Sequence, residues 1–207
     1  MASARQAKTG KAGAPMRDKL FFPLAALLTV LMVFLAIQPG IGRLPTGAVA
    51  GDGLNYNRIV IEGPYLNKVI SGGDARAQLI REDGTYYLYI EAAFEALVPA
   101  PELGPHFRLA PDIEVQFAAQ TVRVTASVRP ADSRGAEQVE MNYSTGRAGD
   151  SGWQVRDLQP GFSEVSFEYD VPALESDQGV DYLGIRPVVP DKSRALIVER
   201  IVLERLP

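Results

Sequence analysis

Apolar and polar positions fall into two regimes along this 207-residue chain. Residues 20–37, "LFFPLAALLTVLMVFLAI", carry no charge, and only Pro23 and Thr29 depart from an unbroken apolar run. At 1.5 Å per helical residue the run covers roughly 27 Å, close to the hydrocarbon thickness of a bilayer, so it predicts a transmembrane helix over residues 20–38. From Tyr56 onward the pattern alternates instead. "NRIVIEG", "AQLIRE", "TYYLYIEA", "IEVQFAA", "TVRVTASVRP", "EQVEMNYST", "WQVRDLQ", "SEVSFEYDVP", "DYLGIRP" and "ALIVERIVLERL" read as short strands separated by Gly, Pro, Asp and Ser clusters. "EAAFEALV", residues 91–98, is the one short helix that the pattern suggests. About ten strands without alternating helices predict an all-β fold, an antiparallel two-sheet β-sandwich of the jelly-roll type, preceded by one transmembrane α-helix.

The flanks of the apolar run orient it. Arg5, Lys8, Lys11, Arg17 and Lys19 precede it against the single acid Asp18, and only Arg43 follows closely. An excess of cations before the span keeps the N-terminus cytoplasmic and exports the rest, to the periplasm or the cell exterior. This gives a basic tail over 1–19, the span as a signal anchor, a Pro/Gly-rich linker over 39–55 and an exported domain over 56–207, with the lipid bilayer as partner of residues 20–37. Two other readings exist. "AVA" at 48–50 has the form of a signal-peptide cleavage site, although it lies about ten residues beyond the apolar run. A buried core helix is the other, although a run with no polar face does not suit a domain surface.

Composition narrows the function. A net charge of -4 disfavours a nucleic-acid partner, because neutralising phosphates requires a basic surface. No cysteine is present, which removes disulfides, thiolate nucleophiles, cysteine zinc ligands and a lipidated-cysteine anchor. The single histidine, His106, sits in the proline-rich segment 99–112, which reads as a stiff surface crossover; with Arg108 it offers a meeting point for an anion. No G-x-S-x-G elbow accompanies it, so a hydrolytic triad is not expected. No cofactor is implied. Glycoside hydrolysis needs only two carboxylates, and the chain has 25 acidic residues, yet none is marked out by spacing. "DIEVQF" at 112–117 resembles the E-x-D-x-x-E strand of jelly-roll glucan hydrolases but lacks its first Glu and ends in Gln116-Phe117. A structural calcium would have Glu62, Asp181 or Glu204 to draw on, but no clustered acidic loop announces one. "NYS" at 142–144 matches a glycosylation sequon.

Residues 137–205 carry a resemblance. The order "YSTG", Trp153, "LQPG", "EVSFEYDVP", "DYLGIRP" and a terminal strand with Ile201 and Leu203 resembles the second half of a carbohydrate-binding-module or galactose-binding-like jelly roll. The resemblance implies that "ALIVERIVLERL" lies beside "NRIVIEG". The terminal segment has an irregularity of its own: Leu196 and Val198 share one face, while Ile201 and Leu203 reach it only if the register shifts at Glu199-Arg200. A β-bulge there sends all four into the core. Strict alternation would instead turn Glu199 inward, where it needs a cation.

Candidate binding residues follow from the same alternation. In "DYLGIRP", Leu183 and Ile185 share one face and Tyr182, Gly184 and Arg186 the other. A ring beside a guanidinium suits a sugar, whose C–H face stacks while its hydroxyls or carboxylate accept hydrogen bonds. If Arg186 serves the fold instead, it pairs internally with an acid such as Glu199. "TYYLYIE" places Tyr87 and Tyr89 in a flat strip, which equally suits sheet packing. Trp153, the only tryptophan, is either a stacking platform or a core ring packed on the opposite sheet. Three functions remain: a tethered non-catalytic module binding envelope or extracellular polysaccharide, an accessory subunit docking its sandwich onto a membrane-protein complex, and an enzyme.

Overall fold

A computed structural model describes residues 16–37, 43–73, 75–94, 99–174 and 179–207. The chain forms two compact units, residues 1–43 and 44–207. In the first, helix α1 spans Met16–Ile37, with Pro23 near its start. Where its side chains are described, over 20–36, they are apolar apart from Thr29, whose hydroxyl donates to Ala25 O, and mostly exposed: Leu20, Phe22, Leu27, Val30 and Leu35 are all more than half accessible. Among the described residues no helix is long and apolar enough to cross a membrane.

The second unit is a β-sandwich. Its strands are β1 (Arg58–Glu62), β2 (Arg76–Glu82), β3 (Thr85–Ala93), β4 (His106–Arg108), β5 (Thr121–Pro130), β6 (Gln138–Ser144), β7 (Gln154–Asp157), β8 (Ser163–Asp170), β9 (Tyr182–Pro187) and β10 (Ser193–Arg205), with a short helix α2 (Pro111–Phe117) before β5. One sheet runs β2-β3-β10-β5-β8, with β1 also paired to β10; the other runs β4-β9-β6-β7, and every pairing is antiparallel. Between the sheets lie Leu88, Ile90, Val124, Val128, Met141, Tyr143, Leu183 and Ile185, each fully buried, which is what period-two sequences achieve when one face of each sheet is dry.

β10 is the spine. Its first half pairs with β3, its second half with β1, and β5 runs along its other side throughout. The register against β5 shifts between Val198 and Arg200. That bulge puts Leu196, Val198, Ile201 and Leu203 all in the core at 0% exposure, as the irregular spacing requires. Glu199 stays half-buried and accepts from Ser127 Oγ at 2.7 Å.

Several expectations are corrected. Residues 44–55, read as linker, belong to the sandwich unit: Val49 is 1% exposed and bridges Leu109, and Gly51 N donates to Asp112 Oδ2. "IEVQFAA" is not a strand. Pro111 at its first position has no N–H to lose and starts α2, which buries Ile113 and Phe117, one turn apart, and exposes Val115. The proline-rich segment holds the short strand β4 and a 3-10 turn over Pro101–Leu103. "EAAFEALV" begins as the end of β3, through Ala93, and residues 95–98 lie outside the described residues.

Candidate functional site

The outward face of the four-stranded sheet carries three rows of side chains. Because Leu183 and Ile185 point into the core, Tyr182, Gly184 and Arg186 point away from it. Cross-strand register completes the rows: Arg108, Tyr182 and Ser144; His106, Gly184 and Asn142; then Arg186 and Glu140, where β4 has ended.

The Arg186 row is sealed. Arg186 is 6% exposed, its Nε lies 2.6 Å from Glu140 Oε1, and its guanidinium sits 3.8 Å from the centre of the Trp153 ring. Trp153 Nε1 in turn donates to Pro99 O at 2.7 Å. Arg186, expected to face a sugar, instead has an internal partner, Glu140 rather than the Glu199 named as one such acid, and does not present its guanidinium to solvent. Trp153 is half-buried on the outer side of its own sheet rather than packed on the opposite one.

The middle row is plugged. A Cβ at Gly184 would stand 2.8 Å from Pro101 Cβ and 3.0 Å from Trp153, so glycine is the residue that lets this loop and ring settle on the strand. His106, expected on an exposed crossover, is 5% exposed; its Nδ1 lies 2.8 Å from Gly104 O and its ring meets Tyr182 edge-on at 5.3 Å. Asn142 is 2% exposed and donates to Asp150 Oδ1, so the sequon asparagine is a packed side chain.

The first row is open. Tyr182 is half-buried, Arg108 is exposed directly across from it, and Arg108 makes no side-chain ion pair among the described residues. The guanidinium that accompanies Tyr182 at the surface is thus Arg108. Its sequence context, three strand residues inside a proline-rich segment, is too short for alternation to reveal.

Tyr87 and Tyr89 lie on the other sheet, on its outward face, and the structure does not bring them to the Tyr182 row. Both are half-buried over Ala131, Ala195 and Ile197. Tyr87 stacks on Phe162 at 5.3 Å and Tyr89 donates to Glu91 Oε2 at 3.0 Å, while Arg134 pairs with Glu91 at 2.7 Å. Burial and the Glu91 hydrogen bond raise the Tyr89 phenol above its ordinary pKa. This strip is held by the fold.

The acids proposed for calcium are dispersed. Glu62 and Glu204 lie at opposite ends of the β1–β10 ladder, whereas Asp181 is fully buried, accepting from Tyr143 Oη at 2.8 Å while its backbone N–H donates to Glu114 Oε1. Among the described residues no group of three or more His, Cys, Asp or Glu side chains is placed to hold a metal.

Neither a protein-family model nor a curated protein matches the sequence. Among solved structures, the chain is similar to the CBM22-1–GH10 modules of Clostridium thermocellum endo-1,4-beta-D-xylanase 10B complexed with xylohexaose, at 13% identity over 65% of this chain and 25% of that one, with a TM-score of 0.45. It is also similar to the CBM22-2 xylan-binding domain of Paenibacillus barcinonensis Xyn10C, at 10% identity over 67% and 91% with a TM-score of 0.47, and to a CBM4 structure at 11% over 76% and 93% with a TM-score of 0.44. The chain thus spans a quarter of the xylanase chain.

Proposed function

We propose that the protein is a single-pass, membrane-anchored and exported β-sandwich that binds carbohydrate without acting on it. The observation that carries the binding reading is the open row of the four-stranded sheet, where half-buried Tyr182 stands beside exposed Arg108, which makes no ion pair among the described residues. A sugar laid there stacks its C–H face on the ring and accepts from the guanidinium. The anchoring part of the reading rests on the sequence: residues 20–37 carry no charge and depart from an apolar run only at Pro23 and Thr29. The cations before the run set its orientation, with the N-terminus cytoplasmic.

Full-length protein in detergent micelles, applied to a glycan array, is expected to bind a subset of neutral or acidic polysaccharides. Arg108→Ala removes a charge-assisted donor worth about 1.5–3 kcal/mol and lowers affinity by about tenfold or more with an unchanged melting temperature. A C-terminal reporter is expected to be active outside the cytoplasm, and the chain to stay in membranes through alkaline carbonate washing. No glycan bound by the unaltered protein ends the carbohydrate reading in favour of a docking subunit, and a released product beginning near Gly51 ends the anchor.

A further inference from the structure

The six-stranded sheet is split on its outer side. β10 leaves β3 after the pair Val198↔Leu88 and takes up β1 at Arg200↔Glu62, so Glu199 falls between two partners. β3 continues beyond that point through Tyr87, Tyr86 and Thr85, which pair only with β2. β1 stops because Gly63, at φ +57°, and Pro64 turn the chain into a 3-10 turn, Gly63–Lys68, that buries Leu66 and carries Tyr65 outward. The result is an open cleft of about 610 Å³ at the bulge, lined by Glu62, Tyr65, Thr85, Tyr86, Glu199 and Arg200 among others.

Its chemistry is specific. Tyr65 is 48% exposed and Tyr86 half-buried, giving the cleft two aromatic walls. Glu62 is exposed, and among the described residues none donates to its side chain and only Ser127 donates to Glu199, at Oε2. Two carboxylates with free lone pairs want donors. A cation is the less suitable occupant, because Lys68 already stands 5.2 Å over Tyr65, Arg81 stands 5.3 Å over Tyr86, and Arg200 lies in the same wall. Uncharged hydroxyl groups on a ring with an apolar face meet both requirements, since they donate to the carboxylates and stack on the tyrosines.

We infer that this notch is a second ligand site, taking a neutral, hydroxyl-rich sugar unit against Tyr65 and Tyr86 with its hydroxyls donating to Glu62 and Glu199. The inference takes its ligand class from the carbohydrate reading above. The two sites lie on opposite outer faces of the sandwich, so one short oligosaccharide does not occupy both.

Calorimetric titration of the full-length protein in micelles with xylohexaose and with cellohexaose tests it. Two molecules of whichever hexasaccharide binds are expected per chain. Tyr65→Ala and Glu62→Gln, both at exposed positions, lower affinity at one site at least tenfold with an unchanged melting temperature, and Arg108→Ala does so at the other. Deleting Glu199 removes the extra residue of the bulge while keeping Leu196, Val198, Ile201 and Leu203 on one face, so the protein folds and the notch affinity falls. One bound molecule, sensitive to Arg108→Ala and indifferent to Tyr65→Ala and Glu62→Gln, overturns the notch and leaves the proposed function standing. No binding of either sugar overturns the notch, while the glycan array decides the function separately.

Discussion

Two ion pairs of nearly equal length stand on the outer faces of the two sheets. Arg186 and Glu140 meet at 2.6 Å with side chains 7% and 12% exposed, and Arg123 and Glu168 meet at 2.7 Å with side chains 42% and 51% exposed. Distance does not separate them, but surroundings do. The first lies under Trp153, beside a loop whose Pro101 rests on Gly184, so the outward face of the four-stranded sheet is itself a small packed layer. The second is one rung of an open ladder with Arg200–Glu164 and Arg58 opposite Glu204, where water screens every charge. A candidate binding surface is therefore to be sought where a polar side chain is exposed and unpaired; Arg186 fails that criterion, while Arg108 meets it among the described residues.

The largest expected effect comes from breaking the covered pair. Arg186→Ala leaves Glu140 nearly buried and without its cation and removes the platform under Trp153, and such a loss typically costs about 3–5 kcal/mol of folding stability. Chemical denaturation measures it. Arg186→Met combined with Glu140→Leu is expected to restore most of the loss, because neither charge is then stranded. A double variant as unstable as the single one would mean that the packing of the guanidinium, and not its charge, holds the layer.

An intermediate effect belongs to the interior between the two faces. Tyr143 is fully buried and its hydroxyl donates to Asp181; burial first, then the Asp181 carboxylate, push its pKa well above 10. A phenol whose folded pKa is raised holds its proton in the native state more tightly than in the unfolded chain. Its contribution is complete below pH 10 and is lost as pH rises above that value, where the unfolded tyrosine ionises first. Stability is thus expected to fall steeply above about pH 10. Tyr143→Phe costs about 1–3 kcal/mol at neutral pH, because Asp181 loses a donor, and flattens the alkaline fall. A variant with an unchanged alkaline profile would assign that fall to Tyr56, Tyr89 or Tyr169, whose pKa values are raised too.

The two faces also differ in how far they were legible in the sequence. The six-stranded sheet is made of long strands, and its one defect announces itself: four apolar residues of β10 fall on one face only if a residue is extra at Glu199. The pairing of β1 with β10 followed from the resemblance of the second half of the chain. The four-stranded face is set by short pieces. β4 has three residues, too few to show a period, and in "IEVQF" the spacing of Ile113 and Phe117 satisfies both a strand and a helix, since positions i and i+4 share a face in each. Pro111 was the discriminating residue. The partner of Arg186 was invisible because Glu140 and Glu199 both alternate with apolar neighbours, and only the order of strands decides which of them stands beside β9.

The open ladder is expected to give up little stability when one of its charges is removed. Arg123→Ala removes the guanidinium that reaches Glu168 through both Nε and Nη2. Both bonds end on the same oxygen, Glu168 Oε1, so the pair lacks the two parallel bonds of a bidentate fork. Here both side chains are more than a third exposed, the carboxylate is rehydrated when the cation goes, and pairs of this kind are worth about 0.2–1 kcal/mol. The expected loss is at the low end in 0.15 M salt and shrinks further as salt is raised, because the Debye length is then below about 8 Å. A loss above about 2 kcal/mol that is independent of salt would mean that the β5–β8 edge is covered in the full-length protein. That outcome would turn the solvated face into an interface and reverse the roles assigned to the two sheets.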